Sequence, residues 1–140
     1  MTMSGSSAMK ALFPHMAMTR ELIVRVSVSY LPEQSDPAKG RWFWAYHIRL
    51  ENDGEYAVQL LTRHWVITDG RGARHEVRGE GVVGEQPLIE PGKTYDYVSG
   101  CPLQTPTGAM EGSFHMLGAD GSAFDAKIPR FPLVAPAVAR

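Results

Sequence analysis

The sequence predicts an all-β chain, folded as a β-sandwich of about seven strands. Three observations carry this expectation. Apolar and polar residues alternate with a period of two along most of the chain, Gly, Pro, Asn and Asp cluster between the alternating runs, and no run repeats its apolar residues at helical spacing. With 140 residues, 44% of them hydrophobic, the chain fits one domain around one core.

The elements follow in order. Met1 to Thr19 holds several methionines and a Ser-Gly-Ser-Ser tract without a sustained apolar segment, and is read as a flexible tail (1–19) ahead of a domain over 20–140. Leu22, Val24, Val26, Val28 and Tyr30 alternate with polar residues and define the first strand. After a turn-rich stretch from Leu31 to Gly40, Trp44, Tyr46, Ile48 and Leu50 define the second. Within Trp42-Phe43-Trp44 the strand period sends Phe43 to the face opposite the two tryptophans, so that a large ring is either an exposed partner anchor or packed under the long loops. Asn52-Asp53-Gly54 reads as a hairpin turn. The third run, Tyr56 to Thr68, switches face between Leu60 and Leu61 and predicts a bulge there.

Asp69-Gly-Arg-Gly72 turns the chain into a short strand from Ala73 to Val77. Tyr95, Tyr97 and Ser99 alternate in a fifth strand, and Gly100 to Thr107, with Pro102 and Pro106, is expected to be irregular. Gly112, Phe114 and Met116 form the next strand, and Phe124, Ala126 and Ile128 the last. Pro129 to Arg140 carries three prolines and is expected to run extended over the surface. Ile89-x-Pro91-Gly92-x-x-Tyr95 is similar to the turn of fibronectin type III modules in which a tyrosine hydroxyl bonds back to upstream backbone, with a type II turn and an ordinary strand tyrosine as the alternative.

Six motifs then occur in an order that resembles the ApaG family. They are Tyr30-Leu-Pro-Glu-Gln-Ser35, Trp44-Ala-Tyr-His-Ile-Arg-Leu-Glu-Asn52, Gln59-Leu-Leu-Thr-Arg-His-Trp65, Glu76-Val-Arg-Gly-Glu-Gly-Val-Val-Gly-Glu-Gln-Pro87, Tyr97-Val-Ser-Gly-Cys-Pro-Leu-Gln-Thr-Pro106 and Gly108-Ala-Met-Glu-Gly112. The resemblance implies an immunoglobulin-like, fibronectin type III-like sandwich without an established activity. It also implies a historical link to cobalt resistance and divalent-cation homeostasis.

Composition narrows the function. A net charge of -1 supplies no basic field, so neither nucleic acid nor an anionic membrane is an expected partner. The single cysteine, Cys101, permits no internal disulfide and no C-x-x-C site, which suits a reducing cytoplasm. Between Gly100 and Pro102 it reads as a buried group in a constrained loop rather than a nucleophile.

Gly79-Glu80-Gly81-Val82-Val83-Gly84 spells G-x-G-x-x-G, yet Pro87 follows too closely for the helix that would hold a pyrophosphate. Two readings stand. Gly79, Gly81 and Gly84 supply positive φ in a tight crossover, or the loop amides form an anion nest assisted by Arg78, with Arg63, Arg74 and His64 near one rim. His64 and His75, on either side of the Asp69–Gly72 turn, are the best available metal pair, but no other ligand spacing accompanies them. No catalytic constellation is visible, and Asp120 with Asp125 reads as turn and solvent-face residues rather than an acid/base pair. The leading expectation is a cytoplasmic, non-enzymatic binding or protein-interaction module without a cofactor, using the loops around 78–86 and 100–107. A pyrophosphate or nucleotide sensor and a divalent-metal binder are the alternatives, and edge strands offer a route to a homodimer.

Overall fold

The computed structural model describes Met9 and residues 11–137. Alternation along the chain becomes two antiparallel sheets packed face to face. The strands are β1 (His15–Thr19), β2 (Leu22–Tyr30), β3 (Trp42–Asn52), β4 (Val58–Asp69), β5 (Arg74–Glu80), β6 (Leu88–Ile89), β7 (Thr94–Leu103), β8 (Thr107–Gly118) and β9 (Ala123–Val134). One sheet has the order β1-β2-β3-β7, the other β5-β4-β8-β9 with β6 paired to β4.

The residues that alternate inward fill the space between the sheets. Leu22, Val24 and Val26 of β2 and Trp44, Tyr46, Ile48 and Leu50 of β3 face Leu60 and Trp65 of β4, Phe114 and Met116 of β8, and Ile128, Phe131 and Leu133 of β9. Each such side chain contributes about 1.5–3 kcal/mol by leaving water. Trp65 lies at the centre, with its ring 5.2 Å from that of Tyr46, 6.4 Å from Phe114 and 6.1 Å from Phe131.

Several expectations change. His15–Thr19 is a strand rather than a tail: β1 pairs with β2, Thr19 Oγ1 accepts a hydrogen bond from the Lys127 amide, and Phe13 is buried. Its run is short and its outward residues are methionines, which hides the period from the sequence; residues 1–8 and 10 of the expected tail lie outside the described residues. Asn52-Asp53-Gly54 is not a hairpin, because β3 and β4 belong to different sheets. Asn52 is buried there, donating to the carbonyls of Tyr56 and Ile89 and accepting from the Gly54 amide, so it fastens a crossover.

Gly100 to Leu103 is also regular, the last part of β7, and only residues 104–106 are irregular as expected. Phe43 directs its carbonyl to Leu31 and its amide to Ser35, so the even-numbered residues of β3 face β7 and bond to its odd-numbered ones. Pro102 then loses no ladder bond, since its missing N–H points to the free edge. Gly100 lets the Phe43 ring lie against the strand, within 2.4 Å of where a Cβ would stand. Pro129 and Pro132 are likewise tolerated because β9 is an edge strand, and Phe131 and Leu133 are core residues rather than surface ones.

The bulge expected at Leu60 and Leu61 is present as a register shift between Leu60 and Thr62. Tyr95 differs from the expected corner: its hydroxyl bonds the Glu85 carboxylate at 2.9 Å rather than upstream backbone. On one side the sandwich is drawn shut, where β1 and β2 approach β9 and Trp44 Nε1 donates to the Val134 carbonyl. On the other side no strand among the described residues lies above β5, and six of its seven residues are exposed.

Candidate functional site

The glycine motif begins inside β5, where Gly79 and Glu80 pair with Arg63 and Thr62, and ends in a two-residue turn. The Gly81 amide donates to the Leu61 carbonyl, and Val82 and Glu85 exchange both backbone hydrogen bonds. Val83 and Gly84 between them both have positive φ, 42° and 83°, as a type I′ turn requires. Each glycine has a local reason. Gly79 leaves room for the Arg63 guanidinium, 2.8 Å from where a Cβ would stand; Gly81 (φ 63°) passes 2.2 Å from the Glu85 carbonyl oxygen by the same measure; and Gly84 completes the turn. Arg63 Nη1 donates to the carbonyls of Glu80 and Gly81, so its charge is turned toward carbonyl oxygens of the motif.

The remaining expected residues do not gather at this turn. Arg78 projects from the outer face of its sheet, where its Nη2 is 3.4 Å from Glu76 Oε1 and His64 Nε2 is 2.7 Å from the same oxygen. His64 stands opposite Arg78, whereas His75 stands opposite Ile67, so the two histidines are on different faces of the sheet and do not meet. His115 on the outer face bonds Asp125 at 2.9 Å. Asp120 is held by the Ser122 hydroxyl and amide, so it and Asp125 are engaged separately. Among the described residues no three His, Cys, Asp or Glu come together to hold a metal ion.

What the fold does bring together is a cleft on the open side, between the edges of β5 and β7. Its floor is Trp65, Ile67, Val77 and Met110, its far wall is Ser99, Gly100, Cys101, Pro102 and Leu103, and it encloses about 380 Å³. Arg63 and Tyr46 stand at one end. Beyond His75 the cleft continues into a second hollow of about 520 Å³ bordered by Arg41, Trp42, Phe43 and Asp69. Tyr97 Oη is buried near the Arg63 and Tyr46 end without a hydrogen-bond partner among the described residues, and burial drives its pKa far above the ordinary tyrosine value. Burial likewise raises the Tyr46 hydroxyl, and pushes the Cys101 thiol up to about 11, which leaves it protonated and a poor nucleophile at neutral pH.

The alternation Arg63, Trp65, Ile67, with one charged residue on the inward face, was the legible trace of this cleft. Trp65, Val77 and Leu103 do not stand out as site residues in the sequence, because Pro102 marks its segment as irregular and so hides one wall.

Comparison with known proteins places the chain. The family model described as ApaG domain matches residues 32–118. A relative named Protein ApaG from Afipia carboxidovorans is 56% identical over 124 residues, covering 89% of this chain and 95% of the relative. Another Protein ApaG, from Pseudomonas paraeruginosa, is 58% identical over 113 residues, covering 81% of this chain and 90% of the relative. Among solved structures, that of the Bordetella pertussis protein named ApaA is similar with a TM-score of 0.80 and 48% identity, covering 84% of this chain and 95% of that one. This chain, a two-sheet β-sandwich with those motifs in that order, belongs to the ApaG domain family.

Proposed function

We propose that this ApaG-domain chain is a non-enzymatic binding module that takes an extended protein segment into the cleft between β5 and β7. The observation that carries this reading is the uncovered inner face of β5. It leaves Val77 40% exposed beside Trp65, Ile67 and Leu103, an apolar floor with no strand among the described residues above it.

The chemistry of the cleft suits a peptide. Odd-numbered residues of β7 bond to β3, so Asp96, Val98 and Gly100 turn their amides and carbonyls outward along the free edge. A segment added there as a strand would gain main-chain hydrogen bonds, while its alternate side chains would enter the apolar floor. His75 and Arg41 along the length favour an acidic residue in the segment. Catalysis is disfavoured on the same grounds: burial raises the pKa of the Cys101 thiol and of the Tyr46 hydroxyl, and His75, which also lines the cleft, is hydrogen-bonded to neither.

The link of the family to cobalt resistance and divalent-cation homeostasis is read as indirect, through the partner bound, since the histidines of this chain are each on separate carboxylates or unmatched. A reducing, cytoplasmic setting agrees with the buried free thiol of Cys101. No helix of the described residues is long and apolar enough to cross a membrane.

Selection from a phage-displayed library of random 12-residue peptides tests the reading. Enrichment of alternating apolar sequences with an acidic residue is expected, with binding lost in Val77→Asp and weakened in Val98→Pro, which removes an edge donor. Failure to enrich any sequence, or peptides that bind Val77→Asp as well as the parent chain, would remove the cleft from consideration.

A further inference from the structure

We propose that β5 is an interface between two copies of this chain, paired antiparallel edge to edge about a two-fold axis through Val77. The proposal rests on the order of charges along one edge, independently of what the cleft binds.

The ladder determines which groups are free. Asp69 donates to the Ala73 carbonyl and the Gly81 amide to Leu61, so the odd-numbered residues of β5 bond to β4. Arg74, Glu76, Arg78 and Glu80 therefore turn their amides and carbonyls to the unpaired edge. Their side chains share the outer face, and the charges alternate in sign. Natural edges are commonly protected by a proline, a bulge or charged side chains; β5 has neither proline nor bulge, and its charges alternate in sign rather than repel a second copy throughout.

The alternation is self-complementary in one register. With Val77 opposite its own copy, Arg74 meets Glu80, Glu76 meets Arg78, and the same pairs recur on the other side of the axis. All four are directly opposed and hydrogen-bonded positions, so side-chain and main-chain complementarity coincide. A slip of two residues either way opposes Glu76 to itself or Arg78 to itself and places like charges at every remaining opposed pair. The charge order thus selects the register as well as permitting the contact.

The other face agrees. His75 and Val77 point inward with none of the described residues covering them, and the pairing sets Val77 against Val77 and His75 against Gly79. The two five-stranded sheets become one continuous sheet, and the two clefts become one longer trough. An isologous contact of this kind closes at two copies on this edge and does not propagate from it.

Sedimentation equilibrium on the full chain tests this with charge reversals at Glu76 and Arg78, whose side chains are 56% and 71% exposed. The parent chain is expected to show a monomer–dimer equilibrium that weakens with added salt. Glu76→Arg alone and Arg78→Glu alone each oppose like charges at two pairs and should raise the dissociation constant at least about tenfold. Mixed in equal amounts, the two variants restore opposite charges and should form a heterodimer, which also demonstrates that each is folded. A parent chain that is monomeric up to about 1 mM, well above micromolar affinity, would overturn the proposal. So would a dimer indifferent to either reversal, or a mixture that stays monomeric.

Discussion

Val83 is the residue at which local conformation and side-chain type disagree most. A β-branched side chain at φ 42° occupies a region that costs an L-residue about 1–2 kcal/mol, and the side chain is 57% exposed, so little burial compensates. Val83→Asn would place Asn-Gly, the favoured type I′ pair, in this turn. It is expected to stabilise by about 1 kcal/mol, roughly 3 °C in Tm for a chain of this size, checked by calorimetry. Gly81 behaves oppositely. Gly81→Ala adds a Cβ against the Glu85 carbonyl at positive φ and should cost about 2–4 kcal/mol, whereas Gly72→Ala, at φ 85° in open space, should cost only about 1 kcal/mol. Denaturant midpoints of the pair separate close approach from backbone strain.

Glu51 gives the same scale a pH dependence. Burial opposes its ionisation, but hydrogen bonds from Arg25 and Arg49 prevail and hold its pKa below the usual carboxylate value of 4.5. A group with a depressed folded pKa contributes stability that is present above its unfolded pKa and lost as pH falls through the folded one. The urea midpoint is therefore expected to drop on acidification below 4.5, and Glu51→Gln should flatten that limb while lowering the neutral plateau. Much was legible at this scale. The bulge at Leu60 and the positive φ of Gly81 and Gly84 could be read directly, because chain geometry is local, whereas Gly79, expected at positive φ as well, does not have it. The guanidinium of Arg63 on Gly79 could not be read, since it depends on which strands pair.

At the scale of elements, period-two alternation located β2 to β5 and β7 to β9, and failed where alternation is shortest or interrupted by proline. β1 is five residues long. The later half of β9 carries Pro129 and Pro132, which an edge strand accepts and a sequence reading penalises. Its core role is tested by Phe131→Ala. A side chain wholly buried against Trp65 and Tyr46 should cost about 3–5 kcal/mol on removal, against about 0.5 kcal/mol or less for a surface segment. Asn52 illustrates a deeper limit. Asn-Asp-Gly marks a change of direction, but whether the chain returns in the same sheet or crosses to the other depends on distant partners, here the carbonyl of Ile89.

For the molecule as a whole, asymmetry between the two sides of the sandwich is the organising feature. β1 and β9 shut one side, while β5 extends its sheet beyond β7 and leaves the other open. The glycine motif, the most conspicuous signal in the sequence, sits at the end of β5 and shapes that opening by letting Arg63 lie flat and by tucking Val82 into the core. The cleft itself was only faintly legible, because its walls come from strands distant in sequence and its defining property is a strand left uncovered.

Amide chemical-shift mapping of the isotope-labelled chain, titrated with a peptide recovered by the selection above, tests the binding-module account most directly. Perturbations are expected along Arg63–Ile67, His75–Val77 and Val98–Leu103, the floor and wall of the cleft. Perturbations centred on Gly79–Gly84, or on the outer face around His64 and His115, would contradict it.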